Sequence, residues 1–558
     1  MKNTIKRILA LLLCAAMLLA LAACGRKEDE GEQYLESTGG KDRERTPAAD
    51  EVFSLNSNSK YSKNPFIATH HANQLLCSLV YENMIELDND FEVIRDAGVI
   101  SEWSVSDDGK NWELTVEPGH YFSDGTEVTA RDVSYSLGFA INADRFTGRF
   151  ASFQGASPGD GVVTVALGIG DKQFIKLLNI PVIKLGSYGN TTAAGNTPVG
   201  SGPYTYNEEG DALIPNEFYP ERATLPVEII YLKEYNSADA VISSFEDGYL
   251  DAVINDPSSY TNLGYASSNE IHTFATTNMH FVAFNQESML GKYAYFRIAM
   301  QYAFDRSYLP ELLHGNAVSA ALPMYPTCSA YPHALEERLS YNLDTCRRVL
   351  EAAGVQDYDE DGQLEFMSGS PQEIELHFVL CADSSAKAGI ANRFQADMAS
   401  LGLKVTLHEL PWSEYMEVLK SGKIQVGESE DNTVPMDMYY GEVKLRNNFD
   451  LTELLQTREV KDEEDDGLYT TNINFTRSND PSIVERIETY LAASDGMRAT
   501  AFYDLCDYIT GSSGAIVVIG FEKQQLITHH GVCKGLAPNA GNPLYDFQHW
   551  EIYLEDEQ

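Results

Sequence analysis

Phe122-Ser123-Asp124-Gly125-Thr126-Glu127-Val128-Thr129-Ala130-Arg131-Asp132-Val133 is the stretch on which the reading of the fold turns. Ser123-Asp124-Gly125 is a turn signal whose glycine can take a positive φ. Asp132 falls near the start of the next helix, where its charge complements the helix dipole. Upstream, Trp112, Leu114 and Val116 alternate with polar residues and predict a half-exposed strand, part of an antiparallel subdomain. Downstream, Gly202-Pro203 breaks the chain after a loop.

Further along, one unit recurs: an amphipathic helix, a glycine, then a strand. Asn342 is positioned to cap a helix with Cys346, Val349, Leu350 and Ala353 on one face, closed by Gly354. Ile390, Phe394, Met398 and Leu401 keep helical spacing up to Gly402, after which Val405 and Leu407 alternate as a strand. Ala240, Ile242 and Phe245 precede Gly248 and the strand-like Ala252-Val253-Ile254. Ile374, Leu376, Phe378 and Leu380 predict another strand. Helices that end at glycines and feed strands make α/β lobes with covered sheets.

The order of several segments resembles the family 5 extracellular solute-binding proteins, the oligopeptide, dipeptide and nickel binders of ABC importers. They are Leu79-Val80-Tyr81-Glu82-Asn83-Met84-Ile85, Trp103 to Gly109 with Trp112-Glu113-Leu114, and the Phe122–Val133 stretch itself. Pro198-Val199-Gly200-Ser201-Gly202-Pro203-Tyr204, Phe284-Asn285, Phe296-Arg297, Ala303-Phe304-Asp305-Arg306 and Leu350 to Gly354 continue the series, which closes with Lys534-Gly535-Leu536 and Tyr545-Asp546-Phe547. No one motif is specific; their order and spacing are.

The resemblance implies a two-lobed periplasmic-binding-protein-like α/β fold (type II, cluster C) with a hinge and an extra N-terminal subdomain. It divides the chain into 1–23, a leader; 24–50, a lipidated tether; 51–280, one lobe with the extra subdomain; 281–525, the second lobe; and 526–558, a return to the first. Phe281-Val282-Ala283-Phe284 and Ile516-Val517-Val518-Ile519 are apolar, β-favouring runs expected to make or flank the crossovers. The implied function is capture of a small solute, a short peptide above all, by lobe closure and its delivery to ABC permease subunits, with no enzyme activity, no cofactor and a monomeric state.

One segment departs from the family. Where many peptide-binding members carry a tryptophan and an aspartate that pairs with the peptide amine, this chain has Asp437-Met438-Tyr439-Tyr440-Gly441-Glu442-Val443-Lys444-Leu445-Arg446. Glu442 stands in place of the tryptophan and Leu445 near the aspartate. Glu442 or Asp450 is the candidate replacement for the amine clamp, since a buried carboxylate is what an ammonium needs. Lys444 and Arg446 leave open the opposite reading, a ligand carboxylate. Tyr439 and Tyr440 alternate in an extended segment, so at most one is expected to face the ligand. Gln425 to Pro435 is expected to be an inserted polar loop at the rim.

The N-terminus sets the compartment. Lys2, Lys6 and Arg7 precede an apolar run from Ile8 to Ala23, 16 residues long, short of the roughly 20 that span a bilayer. It reads as a secretory leader. Leu21-Ala22-Ala23-Cys24-Gly25 resembles the bacterial lipobox, which implies a diacylglyceryl thioether on Cys24 and a chain anchored to the outer face of the cell membrane. Losing Lys2, Lys6 and Arg7 with the leader takes the formal charge from −43 to −46. That excludes nucleic acid as a partner, because phosphates require a basic face. Six cysteines remain beyond Cys24, without a CxxC pair. Disulfides and buried thiols are both open to them.

Other chemistry fails on inspection. Gly155-Ala156-Ser157-Pro158-Gly159 fits GxSxG, but Pro158 has no N–H for an oxyanion hole, so the segment is read as a loop. His408-Glu409 lacks a second histidine because Trp412 occupies its place. Asp357, Asp359, Asp361 and Gly362 begin like a calcium loop, but Ser368 stands where the bidentate carboxylate belongs, so an acidic turn is expected and no metal. The pairs His70-His71 and His529-His530 point their neighbours to opposite faces. A lipoprotein sensor on the same fold and an extracellular hydrolase are the alternatives. Copurification with permease subunits separates the first, and turnover of a peptide library the second.

Overall fold

The structure, a computed structural model, describes residues 52–146, 148–188, 197–255, 269–427, 432–456, 473–478 and 480–554. Cys24, the leader and the tether lie outside them. Among the described residues eleven strands join one mixed sheet. Its axis is a pair of long antiparallel strands, Glu270–Phe284 and Ile516–Thr528. On one side of this pair lie Met438–Lys444, Glu375–Cys381 and Lys404–Leu410; on the other lie Ala252–Asn255, Phe53–Ser57 and Ile230–Glu234.

The apolar runs 281–284 and 516–519 explain why this half of the sheet is covered twice. Every one of those eight side chains is buried. Phe281 and Ala283 enter one core with Tyr439, Ile516 and Val518, while Val282 and Phe284 enter another with Tyr440, Val517 and Ile519. A strand buried on both faces loses its polar alternation. A separate core gathers residues from Phe53 to Ala252 together with Phe274, Leu526 and the C-terminal Val532, Phe547 and Trp550.

Local signals behave as their chemistry requires. Asn342 accepts a hydrogen bond from the Thr345 amide and caps Leu343–Ala352. The helix Ser385–Leu401 ends at Gly402, whose φ of +85° suits glycine alone among common residues. Asp132 does more than balance a dipole: with Thr129 it forms a capping box, and its other oxygen accepts from the Leu185 amide at 2.8 Å. A Cβ on Gly200 would stand 2.1 Å from the Val80 carbonyl oxygen, which accounts for the glycine in the 198–204 segment.

Trp112, Leu114 and Val116 do lie on the buried face of a strand, Asn111–Val116, in a four-stranded antiparallel sheet. Its edge strand is Phe153–Pro158. The stretch expected to be a loop at 155–159 is therefore mostly strand. Pro158 fits because an edge strand has one side free of ladder bonds. All six described cysteines are free and buried.

Candidate functional site

The strand Met438–Lys444, where the resemblance places a ligand-reading segment, lies in the middle of the sheet, between Glu375–Cys381 and Glu270–Phe284. Tyr439 and Tyr440 point to opposite faces, but both are 1% exposed. Both faces are covered here, with Tyr439 in one core and Tyr440 in another. The Tyr440 hydroxyl lies 2.9 Å from His280 Nδ1, and His280 Nε2 lies 2.6 Å from Glu522 Oε1. Glu442 lies 2.8 Å from Lys387 Nζ. Asp450 is bound by Arg446 and accepts from the Thr452 amide at 2.9 Å. Both candidate amine clamps thus have internal partners.

Lys444 and Arg446 instead reach a cavity of about 550 Å³. Arg145, Arg149 and Asn179 line it from the side of the N-terminal core; Thr276, Thr277 and Asn278 line it at the long strand pair. The register of that pair shifts between Ala275 and Met279. A bulge of this kind releases side chains from the ladder and re-aims them, which puts three polar residues on the cavity wall. Arg145, Arg149 and Asn179 carried no motif; the one signal available was two arginines flanking an aromatic in Arg145-Phe146 and Arg149.

Four basic side chains, Arg145, Arg149, Lys444 and Arg446, line the cavity against two acidic ones, Asp144 and Glu453, in a chain whose formal charge is −43. Arg446 is neutralised on the protein side by Asp450 and by Glu453, 2.9 Å from Nη2. Arg149 is held differently. It donates to Asn179 Oδ1 at 3.0 Å and lies 5.4 Å over the Phe146 ring. No carboxylate pairs with Arg149 among the described residues. Burial, then the charges of Arg145 and Arg446, push its pKa down to about 9, so it stays charged at neutral pH. A guanidinium of this kind, flanked by two others, is a docking point for a carboxylate or other anion.

Polar contacts tie the two sides together beside the cavity. Asn448 donates to Asp171 Oδ2 at 2.9 Å, the Lys172 amide to the Leu491 carbonyl at 2.8 Å, and Asn447 to the Lys176 carbonyl at 3.3 Å. Asp171 is buried, and burial, reinforced by the charge of Asp450, raises its pKa to about 7.

One expectation beside the site is revised and another refined. The described ends of the 425–435 segment form a hairpin, Lys423–Gln425 against Thr433–Pro435, since the alternating Lys423-Ile424-Gln425 has a strand partner in Thr433-Val434-Pro435. In the acidic turn, Asp357, Asp359 and Asp361 are joined by the buried Glu365, all four with ligand atoms within 4.8 Å of one another. Their oxygens accept backbone amides within the turn, among them Glu365 Oε2 from Tyr358 and Asp357 Oδ2 from Gly362, so the segment is an acidic turn as expected.

A covered mixed sheet, a strand pair running between cores and a polar cavity beside it are the architecture of a two-lobed, type II binding-protein fold. The profile of bacterial extracellular solute-binding proteins, family 5 Middle, matches residues 97–446. The chain belongs to that family. It is 23% identical over 333 residues to the oligopeptide-binding protein AppA of Bacillus subtilis, covering 56% of this chain and 60% of that one. Glutathione-binding protein GsiB of Salmonella typhi is 24% identical over 56% of this chain and 62% of its own length. The matched stretch therefore spans about three fifths of these relatives. Among solved structures, AppA of Bacillus subtilis in complex with a nonapeptide superposes with a TM-score of 0.58 at 18% identity, covering 90% of this chain and 98% of that one. NikZ of Campylobacter jejuni in complex with Ni(L-His) gives 0.63 at 16% identity, covering 90% and 99%.

Proposed function

We propose that the protein is an extracytoplasmic lipoprotein, anchored through Cys24, that captures a small solute between its lobes and delivers it to an ABC permease. A short peptide is the solute class, and it enters with an anionic group on Arg149, assisted by Lys444 and Arg446. The observation that carries this reading is the cationic cavity, with Arg149 lacking a carboxylate partner among the described residues. Peptide-binding relatives support the class of solute. A cavity of about 550 Å³ suits a ligand of a few residues.

Mass spectrometry of solutes that copurify with the protein identifies candidates, and calorimetry with Arg149→Gln tests the mode. Losing a buried charge partner costs about 2–5 kcal/mol, a fall of roughly 30-fold to several thousand-fold. Capping the solute's carboxylate as an amide should cost wild type a similar factor and the variant almost nothing. Wild-type affinity for the amide, or for the free acid in Arg149→Gln, refutes the anionic docking.

A further inference from the structure

A second cavity, away from the cationic cleft, has the opposite charge. It measures about 600 Å³ and is lined wholly by segments of the N-terminal and C-terminal stretches, 78–120, 203–221 and 542–549. Glu82, Glu86, Asp96, Glu221 and Asp546 contribute to its wall, and no lysine or arginine does among the described residues. Two histidines offset part of this charge: His120 Nδ1 lies 2.8 Å from Glu82 Oε1, and His549 Nδ1 2.6 Å from Asp546 Oδ1.

The acidity is not only a solvated surface. Glu86 is 7% exposed. Its Oε1 accepts from Asn83 at 3.0 Å and Asn542 at 3.2 Å, while its Oε2 is buried with no hydrogen-bond partner. Glu82 repeats the pattern, with Oε1 on His120 and Oε2 buried and unpaired. Burial drives Glu86 up to about 7. A buried carboxylate oxygen without a donor is costly, and the cost disappears when a ligand brings N–H groups and positive charge. Tyr219 and Tyr545 add aromatic wall beside these carboxylates. Carboxylates that fix a charge, and ring faces that attract it, are how proteins hold organic ammonium and guanidinium groups. The volume points the same way, since a bare metal ion would leave most of 600 Å³ empty and the carboxylates and His120 do not converge as one ligand set.

We propose that this cavity is a second binding site, for a small organic cation bearing ammonium groups, read by Glu82 and Glu86 against Tyr219 and Tyr545. It is independent of the anionic docking in the cleft. The test is calorimetry on the full chain with putrescine as probe, 1,4-butanediol as its uncharged counterpart and CaCl₂ as the metal control. Putrescine should bind at one site and butanediol should not. Glu86→Gln and Glu82→Gln should each weaken putrescine at least tenfold, while Arg149→Gln leaves it unchanged. Should Glu86→Gln not fold, Glu221→Gln, at the cavity's exposed rim, should still weaken putrescine severalfold. No putrescine binding, binding indifferent to Glu82→Gln and to the Glu86 or Glu221 variant, or saturable calcium binding lost in Glu86→Gln without any for putrescine would each overturn the proposal. The cleft reading fails separately, on Arg149→Gln and the copurified solute.

Discussion

Lys387 Nζ, on the helix Ser385–Leu401, lies 2.8 Å from Glu442 Oε2 on the strand Met438–Lys444. The lysine side chain is 7% exposed and also contacts Asp383 at 3.0 Å. Burial disfavours its charge, but Glu442 and Asp383 together raise its pKa above the ordinary value. Glu442 is therefore one of two partly exposed carboxylates that pair with a buried lysine and hold a helix onto the sheet.

That arrangement makes Glu442→Gln a stability variant rather than a binding variant. Removing one carboxylate leaves Lys387 with Asp383, and the partly exposed site moderates the loss to about 1–2 kcal/mol. Chemical denaturation should show it. Solute affinity by calorimetry should stay within about threefold, under 1 kcal/mol. A hundredfold loss of affinity at unchanged stability would restore Glu442 as the amine clamp.

Asp171 predicts a pH dependence with a definite sign. Its folded pKa, about 7, lies above the roughly 3.9 of an unfolded aspartate. Between these values the native state keeps a proton that the unfolded chain has released, so stability falls as pH rises from about 4 through 7. Below about 4 both states are protonated and the term vanishes. Glu86 acts in the same direction, so the comparison must be with Asp171→Asn. Wild type should lose about 2.5 kcal/mol relative to the variant between pH 5 and 8. Parallel stability profiles for the two proteins would exclude a buried, proton-holding Asp171.

What the sequence disclosed divides by the range of the interaction. Caps and helix ends are local, so Asn342 and Gly402 were readable from their neighbours. The long strands were readable because 281–284 and 516–519 are apolar without interruption. The cavity was not, since Arg149 and Lys444 are almost 300 positions apart and become neighbours only through the strand pair between them. The burial of Tyr439 and Tyr440 was hidden for a related reason. Their alternation was correct, but it does not say that both faces of the strand are covered. Lys387 could not be foreseen as the partner of Glu442 without knowing which helix lies over that strand.

The anchor is testable without any structure. Cys24→Ala removes the only atom to which the diacylglyceryl group can be joined at the leader's end, so an unlipidated, poorly processed precursor is expected. Metabolic labelling with a fatty acid reads it directly. Equal label on wild type and variant would refute the lipobox. A single acyl chain holds a protein weakly and two or more hold it stably, so the variant should also leave the membrane fraction on washing if cleaved elsewhere.

The proposed closure around the solute has a steric test at Gly148. Gly148 has a φ of +74°, and a Cβ there would stand 2.4 Å from Glu453 Oε1. That oxygen is 2.9 Å from Arg446 Nη2, so Glu453 cannot give way without releasing an arginine of the cavity wall. Gly148→Ala therefore meets two costs. The left-handed backbone is worth about 1–2 kcal/mol against any L side chain, and the methyl group forces the 148 and 453 segments apart. The first cost falls on the protein whether or not solute is bound. In the proposed mode of capture the second is larger when the two sides of the cavity approach, and a ligand can shift an equilibrium only by its differential affinity for the two states. Solute affinity should fall about tenfold, or about 1.4 kcal/mol, and small-angle scattering should show less compaction when solute is added. Gly148→Ala that compacts and binds like wild type would mean that the 148 segment moves aside freely and that closure is set elsewhere.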